Sequence, residues 1–444
     1  MPLAAGLRAL LGSRPRVLKA LGLSLGVSLL AFAAAWLGVP NRWPYFEALD
    51  GQLAALAEEI AGRPLHDDLR LIVVAEDDVP DLADRAGQRA EHARLVRALA
   101  GAGAAVVAFD VSFSTEETTD AVFAEAIGAA APTAVVLGCE PAGSAPDCRL
   151  SPALEAVLGP AGRGSVLVAE EREHGGALVL RSFRLASSRR LDAVRCPPAV
   201  PTFPLQVALA RRRGENAGEK ACLDPGARRI ELRSPGGERR IPCDVRASRG
   251  GDWWHALQRV PLVRRRLDRI TRPYDLVQRW IEEAPGNLAA YAGKVVLVGA
   301  RSPEDLVEKD PPFYGHEVQA LIVSRLLQDV HVRSLGPLGQ VGFLLALCLA
   351  ACALRVCFPR SGVTVPVVLL GRSWTLPVPL LGLLSVYLAG AFLAYLQGGL
   401  LLDVVHHGAA MAAAYFGARW LLPEAPRRKA GFATPELLPG KGAP

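Results

Sequence analysis

Acidic residues stand at the ends of short apolar runs along this chain. Asp77 and Asp78 follow Leu69–Ala75, Asp110 lies near the end of Ala104–Val111, and Asp310 and His316 come after Lys294–Gly299. If these runs are parallel strands, their carboxyl ends border the crevice where open α/β sheets bind ligands. Carboxylates gathered there repel one another and would hold a cation, a basic side chain or a polar ligand. Asp also caps helices and satisfies turn amides, so the pattern admits a ligand pocket or a set of caps.

Motifs for bond-making chemistry do not accompany these acids. His316-Glu317-Val318-Gln319-Ala320 lacks the second histidine of a zinc-protease helix. Nothing matches a Walker loop, a Gly-x-Gly-x-x-Gly fingerprint or a Gly-x-Ser-x-Gly elbow, and the cysteines show neither CxxC nor zinc-ligand spacing. The chain therefore reads as a non-enzyme, with no catalytic residue, metal or cofactor expected. Trp253-Trp254-His255 reads as a buried aromatic pair or a ligand platform.

The elements that would position the acids alternate in type. Leu69–Ala75, Ala104–Val111, Thr133–Gly138 and Lys294–Gly299 are nearly continuous apolar runs, as strands buried on both faces should be. Gly164–Val168 and Ala177–Leu185 read as further strands, and Ile230–Ile241 as a hairpin. Ala90–Ala100, Phe123–Ile127, Leu205–Arg212 and Glu317–Gln328 read as helices. Strand-helix-strand order with such connections predicts an α/β fold, a mostly parallel sheet covered by helices, with a hairpin-bearing insertion.

This polar segment is bracketed by apolar ones. Ala20–Val39 is long enough at about 1.5 Å per residue to cross a hydrocarbon core of about 30 Å. Arg8, Arg14, Arg16 and Lys19 precede it, which places the N-terminus in the cytoplasm and exports the chain from Pro40 onward. Small residues such as Ala31-Phe32-Ala33 would also suit a cleaved signal peptide, and that alternative leaves the middle segment outside as well. Three more spans are expected near Leu338–Leu354, Leu376–Leu396 and Leu400–Leu422, with Arg355, Arg360 and Arg372 in the first connection and Arg427, Arg428 and Lys429 after the last. Val363–Leu370 is too short to cross and would lie at the interface or extend the third span. Four transmembrane α-helices result, dividing the chain into a basic cytoplasmic 1–19, a span at 20–39, an exported domain at 40–336, three spans in 337–422 and a cytoplasmic tail at 423–444. Asp403, His406 and His407 fall near the outer boundary of the last span, where an ionisable residue marks an interfacial or a proton-handling position.

Composition agrees with a membrane protein carrying a soluble domain. Hydrophobic residues make up 51% and charged residues 21%, a charge content that a chain of spans alone would not show. The net charge of +6 comes partly from the flanks of the spans, and export removes nucleic acid from the expected partners. Abundant Gly, Ala, Arg and Pro with little Lys suggest a bacterial coding sequence of high G+C content, hence a multi-pass protein of the inner membrane. Of the exported cysteines, Cys139 and Cys148 are expected to close a short loop and Cys222 and Cys243 to clamp the hairpin, leaving Cys196 over. Cys348, Cys352 and Cys357 read as small apolar packing residues.

Several of these stretches resemble the second class of CHASE domains, extracellular sensory modules found with cyclases and histidine kinases. Leu71-Ile72-Val73-Val74-Ala75-Glu76-Asp77-Asp78 is similar to the family's first strand, and Arg89, Glu91, His92 and Ala93 to its Arg-x-x-His-Ala helix start. Val107-Ala108-Phe109-Asp110-Val111 resembles the second strand, and Asp120 precedes a helix as in the family. Gly293–Gly299 and Tyr314-Gly315-His316-Glu317-Val318-Gln319-Ala320 resemble the closing strand and the Gly-x-Glu-x-x-Ala helix. One span before the domain and three after is also the family's layout. The resemblance adds Arg89 and His92 to Asp77, Asp78, Asp110, Asp310 and His316 as candidate ligand residues. Family members usually continue into a catalytic output domain, whereas only Pro423–Pro444 follows the last span here. The expectation is a sensor subunit that recognises an extracytoplasmic ligand and acts through a membrane or cytoplasmic partner, with a homodimer admitted. The competing expectation is a transporter or channel component with a substrate-capturing outer domain, which the absence of repeats and of interrupted paired helices disfavours.

Overall fold

A computed structural model describes residues 14–36, 56–61, 64–74, 85–140, 148–159, 162–166, 180–189, 196–213, 220–234, 237–247, 253–261, 264–301, 306–309, 312–358, 364–369 and 372–421. The chain divides into two compact units. One comprises Val39–Gly336 with Leu388–Val405, and the other Met1–Gly38, Pro337–Tyr387 and His406–Pro444.

In chain order, helix α1 (Arg14–Trp36) precedes strand β1 (Leu69–Val74), α2 (Arg85–Gly101), β2 (Val106–Ser112), α3 (Asp120–Gly128), β3 (Ala134–Cys139), α4 (Pro152–Leu158) and β4 (Arg163–Ser165). Next come β5 (Leu180–Arg189), β6 (Ala199–Pro201), α5 (Phe203–Arg213), β7 (Lys220–Asp224), β8 (Arg229–Ser234), β9 (Gly237–Pro242), β10 (Asp244–Ala247) and β11 (Trp253–Pro261). The larger unit's sheet then resumes with β12 (Thr271–Pro273), α6 (Tyr274–Glu283) and β13 (Val295–Ala300), followed by β14 (Leu306–Lys309), β15 (Pro312–Tyr314) and α7 (Gly315–Gln328).

The central sheet has the order β12-β1-β13-β2-β3-β4, and every pairing in it is parallel. Register aligns Leu71, Leu297, Ala108 and Val136 in one row across four strands. These side chains face α5 and α7, joining Leu205, Val207, Val318 and Ile322 in one core. Alternate residues Ile72, Val298, Phe109 and Leu137 face the other way, onto Leu95, Leu99, Phe123 and Val277 from α2, α3 and α6. Strands buried on both faces explain the unbroken apolar runs. Each fully buried aliphatic side chain contributes about 1.5–3 kcal/mol, so the two layers hold the sheet edge rigid for whatever sits on it.

The chain between β4 and β12 contains two antiparallel sheets, β10-β11-β5-β6 and β7-β8-β9. The expected hairpin is β8–β9, with Ser234 paired to Gly237. Its cysteine pairing differs from expectation. Cys139–Cys148 forms, but the second disulfide is Cys196–Cys222, and Cys243 lies outside both. Cys222 is on β7, with β8 between it and the chain leaving β9. Two strand spacings, about 9.5 Å, exceed the roughly 7 Å that a disulfide tolerates between Cα atoms. On the far side of β7 a bridge from Pro198 to Cys222 brings Cys196 to a Cα separation of 5.3 Å.

Three helices are long and apolar enough to cross a membrane among the described residues: Val17–Ala34 within α1, Leu338–Cys357 within α8 (Pro337–Cys357), and Val378–Gly398, which is α9. A fourth helix, α10 (Val404–Leu421), carries His406, His407 and Arg419 and is not among these candidates. The stretch before α9 is a hairpin of Thr364–Leu369 with Arg372–Pro377, so Leu376 belongs to a strand and the third apolar helix starts at Val378. The β-branched and proline-containing Thr364-Val365-Pro366-Val367-Val368 favours extended backbone over helix. In the smaller unit, α1 lies on α8 with Ser24 Oγ 3.4 Å from Cys352 Sγ. The thiols of Cys348 and Cys352 point to the carbonyls of Ala410 and Ala414 in α10 at 3.7 and 3.6 Å.

Peptide mapping of the oxidised protein without reductant should recover Cys139–Cys148 and Cys196–Cys222 peptides. Cys196→Ser should lower stability by about 2–4 kcal/mol. A Cys222–Cys243 peptide would contradict the strand order β7-β8-β9.

Candidate functional site

The carboxyl edge of the central sheet ends in a row of Val73, Gly299 and Asp110. Alternation puts these three on the α7 face. Position 299 must be glycine, because a Cβ there would fall on Cβ of His316. Helix α7 therefore begins directly against the end of β13, and Asp110 is the residue paired with Gly299 from β2. The β2–β3 register slips between Phe109 and Ser112, so Asp110 lies in an irregular stretch that re-aims the strand end.

Around His316 the groups are charged or aromatic. Its ring stacks on Tyr314 with centroids 5.8 Å apart. Arg301, the first residue after β13, lies 5.6 Å from the Tyr314 ring centroid and 3.7 Å from Oε1 of Glu317. The other Glu317 oxygen accepts the Tyr314 amide at 3.0 Å, closing the start of α7. His316 is 3% exposed, whereas the Arg301 side chain is 41% exposed. Carboxylate, imidazole, guanidinium and phenol thus meet at one edge, a set suited to recognising a polar ligand.

Arg89 and His92 occupy the opposite layer. The Arg89 guanidinium lies 3.4 Å from Asp120, with both side chains at most 5% exposed. It also donates to the Thr115 carbonyl at 3.2 Å and sits 4.3 Å from the Phe113 ring centroid. Asp120 in turn accepts the Glu117 amide at 3.1 Å. This buried pair ties the first turn of α2 to the first turn of α3. His92, one turn after Arg89, packs among Phe109, Phe113 and Phe123 at centroid distances of 4.8, 6.0 and 6.2 Å.

Of the residues singled out from sequence, Asp110 and His316 each border Gly299, whereas Arg89 and His92 lie in the other layer with Asp120. Asp77, Asp78 and Asp310 lie outside the described residues. Trp253, Trp254 and His255 fall on β11, whose backbone pairs with β5. Arg301, Tyr314 and Glu317 were not singled out as site residues. Arg301 could have been found as the first charge after a buried strand, and Tyr314 and Glu317 flank His316 in the chain.

The family model for the CHASE2 domain matches residues 27–354, about three quarters of the chain. The chain belongs to the CHASE2 domain family. No curated protein and no solved structure matches it.

Burial holds three histidines of the CHASE2 domain neutral, His331, which is pushed down to about 4, and the two described above. Burial, aided by the charge of Arg89, pushes His92 down from 6.5 to about 3. Burial, aided by Arg301, pushes His316 down to about 4. All three residues take up a proton on unfolding before they do so in the native state. Stability is therefore full above 6.5 and falls as pH drops below it, by about 1.4 kcal/mol per pH unit for each histidine. His92→Leu should remove one histidine's share of that slope between 6.5 and about 3, measured by denaturant unfolding at a series of pH values. An unchanged slope would contradict a buried neutral His92.

Proposed function

We propose that this protein is a membrane-anchored extracytoplasmic sensor that reads a small polar ligand at the carboxyl edge of its parallel sheet and passes that state to a separate output protein. The observation that carries the reading is the CHASE2 match over residues 27–354, a stretch that includes apolar helical segments on both flanks of the domain. In this reading α10 completes a set of four spans, and the basic residues before α1 and after α10 keep both termini in the cytoplasm. The domain then lies outside the inner membrane, where its disulfides persist. Asp110, His316 and Arg301 are the residues assigned to the ligand, with Asp77, Asp78 and Asp310 as candidates from the adjoining strand ends. Arg89 and His92 support them from behind β2. The chain itself performs no catalysis. Its partners are the bilayer, the ligand, the output protein and a second copy of the chain.

Reporter fusions test the topology. A reporter placed after Ser187 should be active only outside the cytoplasm, and one placed after Lys429 only inside it. Asp110→Asn should leave the fold intact and change the thermal stabilisation that divalent cations or small organic ions give the full-length protein. Cytoplasmic activity of the Ser187 fusion would overturn the reading. Equal loss of stability by Asp110→Asn with and without every ion tested would reduce Asp110 to a turn residue.

A further inference from the structure

Helix α7 has a second end, and it is buried among charged groups. About 13.5 Å along the helix from His316, Arg325 is 7% exposed and its guanidinium lies 3.1 Å from Glu58, itself 5% exposed. The other carboxylate oxygen of Glu58 accepts the Tyr395 hydroxyl at 2.8 Å. These three side chains come from three separate parts of the chain: the segment after α1, helix α7, and the last turns of α9.

The surrounding packing joins the same three parts. Ala57, Val332, Tyr395 and Leu401 form one apolar cluster. Arg333–Ser334 pairs as a short parallel strand with Leu400–Leu401, and the Arg333 amide donates to the Gly399 carbonyl at 2.8 Å. Gly399 has φ +63°, and a Cβ there would run into the His331 carbonyl, so only glycine allows this approach. On the other side, Ser324 accepts the His66 amide at 2.9 Å and Gln328 donates to the Pro64 carbonyl at 2.8 Å. All of these residues belong to the larger unit, while α9 itself continues back to Val378 in the smaller one.

A buried ion pair adds little net stability over an apolar substitute, but it tolerates few arrangements, because separating the partners strands a charge away from water. Close-packed interiors carry a displacement onward instead of absorbing it. We propose that Arg325, Glu58 and Tyr395 form the coupling joint through which a movement of α7 begun at His316 reaches α9. The joint rests on the sensory reading for its natural stimulus; the coupling itself can be tested without a ligand. Helix α7 is then a lever with its first turn on the ligand edge and its far end on the helix that leaves the domain.

Gly299→Ala supplies an artificial stimulus, because the added methyl group lands on His316 and must displace the start of α7. His316→Ala is the second perturbation should the first variant fold poorly. Amide hydrogen exchange of the full-length protein in lipid nanodiscs should change both at 315–322 and at 388–398. In a Glu58→Gln/Tyr395→Phe background, the change at 388–398 should be lost while that at 315–322 remains. Survival of the 388–398 change in that background would overturn the proposal. So would its absence in the parent, or a start of α7 that responds to neither perturbation. Failure to find any ligand would count against the sensor and leave this result standing.

Discussion

The insertion of β13 between β1 and β2 is the constraint on which the rest of this domain depends. Six residues of β13 pair with β1, and five of them also pair with β2. The last strand of the sheet in sequence thus occupies its middle, and β1 and β2 never touch. The sheet is therefore incomplete until residue 295 has been reached, which makes its decisive contacts long-range and its folding slow relative to a local topology. Helix α7 runs back from the carboxyl edge, where β13 ends, to the segment that enters β1, so Glu58 and Arg325 can meet despite lying far apart in sequence.

The same strand order creates the edge at which charged groups gather. Ligands in open α/β sheets bind where neighbouring connections leave in opposite directions, and β13 sits at such a place. Gly299 and Arg301 differ by two residues yet have opposite tasks. The first removes a side chain so that α7 can start on the strand end, and the second extends a cation over Tyr314 toward Glu317. Behind β2, the Arg89–Asp120 pair fixes how two helices begin without contributing an exposed group.

The apolar strands β1, β2, β3 and β13 were legible because runs of five to seven apolar residues leave little choice but a buried strand. Helices α5 and α7 and the β8–β9 hairpin were legible from periodicity and from Ser234-Pro235-Gly236-Gly237. Sheet order was not, because a strand's composition does not record its neighbours. That gap explains the misassigned disulfide: Cys222 and Cys243 flank the hairpin in sequence, yet β8 separates them in space. It also explains why Arg89 and His92 were grouped with Asp110, although alternation places them behind the sheet. The Thr364–Pro377 hairpin was not legible because hydropathy alone leaves Val363–Leu370 as a piece too short to cross and Leu376 as the start of a span, whereas β-propensity makes both parts strands.

Amide hydrogen exchange across the central sheet tests this account most directly. With a partner on each side, 295–300 should exchange only by global unfolding and be among the slowest amides of the domain. The edge strands at 271–273 and 163–165, the second bridged on its outer side through Ser165 to Thr202 alone among the described residues, should exchange faster through local opening. Protection of 295–300 no greater than that of the two edge strands would contradict a central β13, and with it the geometry that joins the sheet's carboxyl edge to the flanks of the domain.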